Sequence, residues 1–143
     1  MREIVFRGKR AKDGKWVDGS LFSSMTGQKF IRWEVEDDGA IEEIVQYEVN
    51  PETIGQFTGL TDKNGKRVFE GDIVCADTGR RWFNGICTDY TQYVVVVYNS
   101  QKARFEILGK LGESHKALDQ VIDKCSATVV GNIHDKPELL EVK

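Results

Sequence analysis

The sequence predicts a mainly β protein, α+β only through a minor helix, and three observations carry that expectation. Residues 29–35 alternate cleanly, with Ile31, Trp33 and Val35 on one face and Arg32 and Glu34 with Phe30 on the other. Turn signals recur at short intervals, at Lys12-Asp13-Gly14, Thr26-Gly27, Asp37-Asp38-Gly39 and Asn64-Gly65. Only one segment, 114–124, shows a helical period of useful length, through Leu118, Val121, Ile122 and Cys125, with Ser114 placed to cap its start.

In chain order, 3–6 reads as a short strand before the charged Lys12–Lys15 turn, and 16–23 as a second strand with a possible bulge at Gly19. After 29–35 comes a strand over about 41–49, placing Val45, Tyr47 and Val49 together. Asn50-Pro51-Glu52-Thr53 opens a short helical turn: Asn caps, Pro suits the first helical position and Glu favours the positive end of the dipole. A hairpin at Asn64-Gly65 leads to Glu70-Gly71-Asp72, a tight turn feeding the apolar Ile73-Val74. Asp77-Thr78-Gly79-Arg80-Arg81 is expected to turn again, between that apolar strand and one at 82–88. Tyr93-Val94-Val95-Val96-Val97-Tyr98 lacks alternation, which predicts a strand covered on both faces. Segments 104–108 and 128–133 are the last strands, and Pro137 begins a C-terminal helical turn.

At 143 residues with a net charge of −3, the chain suits one compact unit built from an N-terminal β-rich segment, 1–60, and a second segment, 61–143. An apolar share of 40% is too high for disorder, and no apolar run reaches the roughly 20 residues of a membrane span. The start, Met1–Arg7, has no apolar core of a secretory signal, and three cysteines without a C-x-x-C pair suit a reduced compartment, so a cytoplasmic location is expected. Cys75 and Cys87 read as small apolar strand residues rather than reactive thiols.

The block Phe57-Thr58-Gly59-Leu60-Thr61-Asp62-Lys63-Asn64-Gly65-Lys66, continuing Phe69-Glu70-Gly71-Asp72-Ile73-Val74, resembles the central signature of the YopX family of phage-related proteins. Met1–Arg7 looks like the family's start, and Val130-Gly131-Asn132-Ile133-His134-Asp135-Lys136-Pro137-Glu138-Leu139-Leu140 like its C-terminal motif. That motif usually carries Tyr at the place of His134 and Asn near Lys136. The resemblance implies a small phage- or prophage-encoded protein in a bacterial host cell, with a barrel-like C-terminal half. It supplies no reaction and no catalytic residues. The positions that match are Gly59, Asn64, Gly65, Glu70, Gly71, Asp72, Gly131, Asn132 and Pro137. Turn chemistry accounts for such residues better than ligand contact does, so their role is read as structural. A turn followed by a buried strand also recurs in SH3-like barrels, a fold-level analogy that is silent on activity.

The residues point to no catalytic constellation. Cys125, His115 and His134 lack zinc-site spacing, and Ser114-His115 are helix neighbours that do not face each other. No phosphate-binding or dinucleotide glycine motif occurs, so no metal or other cofactor is expected. Charge is unevenly spread. Residues 1–16 carry six basic and two acidic side chains, +4, whereas 34–62 carry nine acidic side chains and no Lys or Arg, −9. Arg2, Arg7, Lys9 and Arg10 beside Phe6 and Trp16, and Arg80-Arg81 beside Trp82, form a candidate basic surface for phosphate and bases. The competing reading pairs the basic start with the acidic stretch, within the chain or across a subunit interface.

Three functions follow, in order. The first is a non-enzymatic interaction module that binds a protein partner or assembles with itself. The second is a nucleic-acid-binding accessory protein. The third is a metal-assisted hydrolase using the acidic stretch.

Overall fold

The computed structural model describes residues 2–83, 86–108, 116–124 and 127–140, with residues 77–83, 86–92, 116 and 124 described by backbone alone. The protein is mainly β: the described residues form two antiparallel sheets and one short α-helix. It divides into two compact units after Phe57.

The first unit is built on β1 (Phe6–Lys9), β2 (Trp16–Ser23), β3 (Lys29–Asp37) and β4 (Ala40–Glu48), joined by β5 (Gly55–Thr61), in the order β4-β3-β2-β1-β5. β2 changes neighbours midway. Trp16–Gly19 pair with β1 and Ser20–Ser23 pair with β3. Gly19, expected as a bulge, stands in register opposite Phe6. Its lack of a side chain serves that changeover: a Cβ there would lie 2.4 Å from the Arg32 carbonyl oxygen. Ile31 and Val49 are fully buried on the inner face, with Gly8 against both. A 3-10 turn (Pro51–Thr53) follows, and the Asn50 carboxamide oxygen accepts the Glu52 N–H at 3.1 Å, as the capping pattern predicts. Thr53, buried in that turn, accepts the Lys9 N–H at 2.9 Å and so anchors the end of β1.

In the second unit β5 continues to Thr61 and pairs with β6 (Arg67–Phe69). A separate five-stranded sheet then forms from β7 (Asp72–Phe83), β8 (Ile86–Asn99), β9 (Arg104–Leu108), β10 (Lys116–Ala117) and β11 (Thr128–Asn132), in the order β10-β9-β8-β7-β11. The expected turn at 77–81 is instead a register shift between Asp77 and Arg80, so β7 runs on as one long strand against β8. The same Thr-Gly chemistry that permits a turn also permits a bulge. The helix α1 (Leu118–Lys124) begins later than the sequence suggested, because Lys116 and Ala117 pair with β9. Ser114, His115 and Cys125 lie outside the described residues.

The expected SH3-like barrel is not formed. The outer strands β10 and β11 do not pair with each other among the described residues, so the sheet stays open. α1 covers one of its faces instead: Leu118 and Val121 pack with Val74, Ala76, Val94, Val96 and Ile107 in one buried cluster. A sheet that buries its apolar face under a helix has no need to close on itself. The valine run of β8 is likewise buried mainly on one side. Val94 and Val96 are fully buried, Val95 and Val97 only in part, and Tyr98 meets Phe105 edge-on with ring centres 5.2 Å apart. No helix among the described residues is long and apolar enough to cross a membrane.

Candidate functional site

Three sets of residues are candidates. The first is the motif set, all of it in the second unit. Asp62 organises the Asn64-Gly65 turn: its Oδ1 accepts the Asn64 and Lys66 N–H groups, each at 2.9 Å, while Oδ2 accepts the Val129 N–H at 3.0 Å. Gly65 takes the left-handed conformation, φ +80, and Gly59, within β5, has φ +85. Burial pushes the Asp62 carboxyl up, but the three backbone donors and the Lys66 charge together outweigh it and hold the group below its ordinary range.

The second turn brings together residues distant in sequence. Asp72 Oδ2 accepts the Phe69 N–H at 2.8 Å. Gly71, at φ +88, donates to the Val96 carbonyl at 2.9 Å and accepts from the Ile133 N–H at 3.0 Å. Asp72 stands in register opposite Asn132. The Asn132 side-chain oxygen accepts the His134 and Asp135 N–H groups at 3.0 and 2.9 Å, and its amide donates to Asp135. Gly131 leaves room for Lys136 and Leu139, and Pro137 opens a 3-10 turn, Pro137–Leu140. Glu70 is half-buried, and burial raises its carboxyl above the ordinary value. Within this set the hub that residue-type reasoning did not single out is Asp62. Its signal was present, an Asp two residues before Asn-Gly that can take up the turn amides, but the bond to Val129, 67 positions away, has no local signature.

The second set is cationic and aromatic, in the first unit. The Arg7 guanidinium lies 4.9 Å and the Lys9 ammonium 5.4 Å from the Trp16 ring centre. Arg32 sits 4.9 Å over Phe22, which stacks on Phe30 at 5.3 Å. Arg10 lies over Tyr47, which stacks on Trp33, and forms an ion pair with Asp13 within its own turn. An open cleft of about 400 Å³ is lined by Trp16, Val17, Asp18 and Trp33. Arg2 is exposed, outside any strand. Arg80 and Arg81 lie in β7 opposite Asp89 and Thr88, and their side chains lie outside the described residues.

The third set is the outer half of the β3–β4 hairpin. β2 pairs with β3 only as far as Arg32, so beyond it β3 pairs, among the described residues, with β4 alone. On that ribbon Ile41 is 57% exposed, Ile44 56% and Val35 37%. Between them stand Glu34, Glu36, Asp37, Asp38, Glu42 and Glu43, all exposed and, among the described residues, without an ion pair or side-chain hydrogen bond. Among the described residues no group of three or more His, Cys, Asp or Glu side chains is arranged to hold a metal ion.

Two antiparallel sheets, turns fixed by Asp and Asn side chains, and a mixed acidic–apolar ribbon define a small β protein. The chain belongs to the YopX family, whose model, described as YopX protein, matches residues 5–141. Among solved structures it is similar to protein EF1440 from Enterococcus faecalis, with a TM-score of 0.60 at 22% identity, covering 98% of this chain and 99% of that one. That likeness shows a shared fold. No curated protein matches the chain.

Proposed function

We propose that the protein is a non-enzymatic interaction module that binds a protein partner or another copy of itself, in a phage- or prophage-derived setting. The outer β3–β4 hairpin supports this reading most directly. A two-stranded ribbon with one neighbour per strand gains little from its own packing. Exposing Ile41 and Ile44 there has a physical use when another surface covers them. The motif turns support the same reading from the other side: Asp62, Asp72 and Asn132 each accept backbone N–H groups of their own unit.

Light scattering of the purified protein, with affinity capture from cells that encode it, tests the reading. Self-association, or a protein retained in stoichiometric amount, is expected. A strict monomer over a wide concentration range that also retains no protein overturns it.

A second reading, a nucleic-acid accessory protein, draws on Arg7 and Lys9 beside Trp16 and Arg32 on Phe22. It expects retention of single-stranded or duplex nucleic acid that falls steeply with salt. No retention at low salt removes it.

A further inference from the structure

We propose that the partner is a basic, extended segment of another protein, which adds as a strand to the free edge of β4. This deepens the interaction-module reading and rests on it. β4 is the outermost strand of its sheet; its end is bridged by Arg10 opposite Val49, with the Asn50 N–H donating to the Lys9 carbonyl, and the open edge lies before Glu48, at Ile44 and Gln46. The Val49 N–H donates inward to Lys29, whereas the Glu48 carbonyl turns outward and accepts the Ala11 N–H at 2.9 Å. In an antiparallel ladder this direction alternates residue by residue. Val45 and Tyr47 therefore direct their backbone groups to β3, and Gln46 and Ile44 direct theirs away from it. No bond to the outward groups of Ile44 or Gln46 is formed among the described residues. An exposed row of donors and acceptors is a template for another strand.

Side chains beside that edge define what fits. Cross-strand pairs share a face, and here Glu34 lies opposite Ile44 and Glu36 opposite Ile41. The register shift after Val35 makes this possible: it places Ile41 and Ile44, three apart, on one face of the ribbon. On that face the isoleucines line β4, next to the edge, and the carboxylates line β3 behind them, with Arg32 preceding Glu34 opposite Gln46. Lys or Arg side chains match it, laying aliphatic stems on the isoleucines with charged ends toward Glu34 and Glu36. A second copy of the same edge is a poor occupant, because Glu42, Glu43 and Glu48 would meet their own like charges.

The test uses the full-length protein, nitrogen-15 labelled, and a capped nine-residue peptide alternating Lys and Val. Expected are shift changes and slowed exchange at the Ile44 and Gln46 amides, and binding that weakens with salt. A Glu34→Gln, Glu36→Gln double variant should bind roughly three- to tenfold more weakly. Binding should vanish when the peptide is N-methylated along one edge. Equal binding of the N-methylated peptide, equal binding of a Glu–Val peptide, or no change at Ile44 and Gln46 each overturns the proposal. Gln46→Pro removes an outward N–H that β3 does not use. It should abolish peptide binding while the remaining spectrum is kept, and a folded Gln46→Pro protein that still binds overturns the proposal. Should that variant not fold, the N-methylated peptide on the unaltered protein decides. A natural partner retained equally by Gln46→Pro overturns this edge and leaves the module reading standing, whereas absence of any partner or self-association overturns both.

Discussion

Single carboxylates set much of the second unit's geometry. Asp62 satisfies three backbone donors, two in the Asn64-Gly65 turn and one in β11, so Asp62→Ala leaves those amides without their acceptor and should cost about 2 kcal/mol or more. Its folded pKa lies below the ordinary value, so its contribution is fully present above the usual carboxylate range and fades as pH falls through the folded value. Urea unfolding of wild type against Asp62→Asn should show a gap at pH 7 that narrows toward pH 3. Glu70 has the opposite sign. Its pKa is raised by burial, so ionisation costs stability as pH rises through the raised value. Glu70→Gln should be at least as stable as wild type at pH 7, with the advantage gone in acid; a clear loss at pH 7 would assign that carboxylate a favourable contact. Glu106 is held down by hydrogen bonds from Arg104 and then Asn99, against its burial. It was silent in the sequence, where an acid inside Arg-Phe-Glu-Ile-Leu looks like an outward strand residue.

Elements were legible where a local pattern sufficed. β3 follows from alternation, and the Asn50 cap from its Asn-Pro-Glu order. Elements misread were those decided by distant partners. The Thr78-Gly79 pair reads as a turn locally, yet β8 holds β7 extended past it. Lys116 and Ala117 fit the helical period, yet β9 claims them. Gly19 is the clearest case of an element depending on one residue. An added methyl there meets the Arg32 carbonyl, and backbone cannot yield as a flexible side chain does. Gly19→Ala should cost about 1–3 kcal/mol by urea unfolding, and a neutral result would contradict the changeover described for β2. α1 contributes through Leu118, which is fully buried, so Leu118→Ala should cost about 2–5 kcal/mol.

Across the whole molecule, the chain's uneven charge has a structural counterpart. Much of the acidic middle is the outer β3–β4 hairpin, and three of the basic residues at the start, Arg7, Lys9 and Arg10, lie against Trp16 and Tyr47. Most of the motif residues of the family resemblance gather at two turns of the second unit, Asn64-Gly65 and Glu70-Gly71-Asp72, with Asn132 of β11 set opposite Asp72 of β7. No spacing rule could have revealed that meeting, nor that β4 is an edge, since both depend on the order of strands in a sheet. The barrel analogy failed for the same reason: a turn-and-strand pattern is local, whereas closure is a property of the whole sheet.

β4 offers an open backbone edge at Ile44 and Gln46, and amide hydrogen exchange of the free monomer reads that edge residue by residue. Val45 and Tyr47, bonded to β3, should exchange slowly, while Ile44 and Gln46 exchange quickly. Equal protection at all four amides would contradict the account.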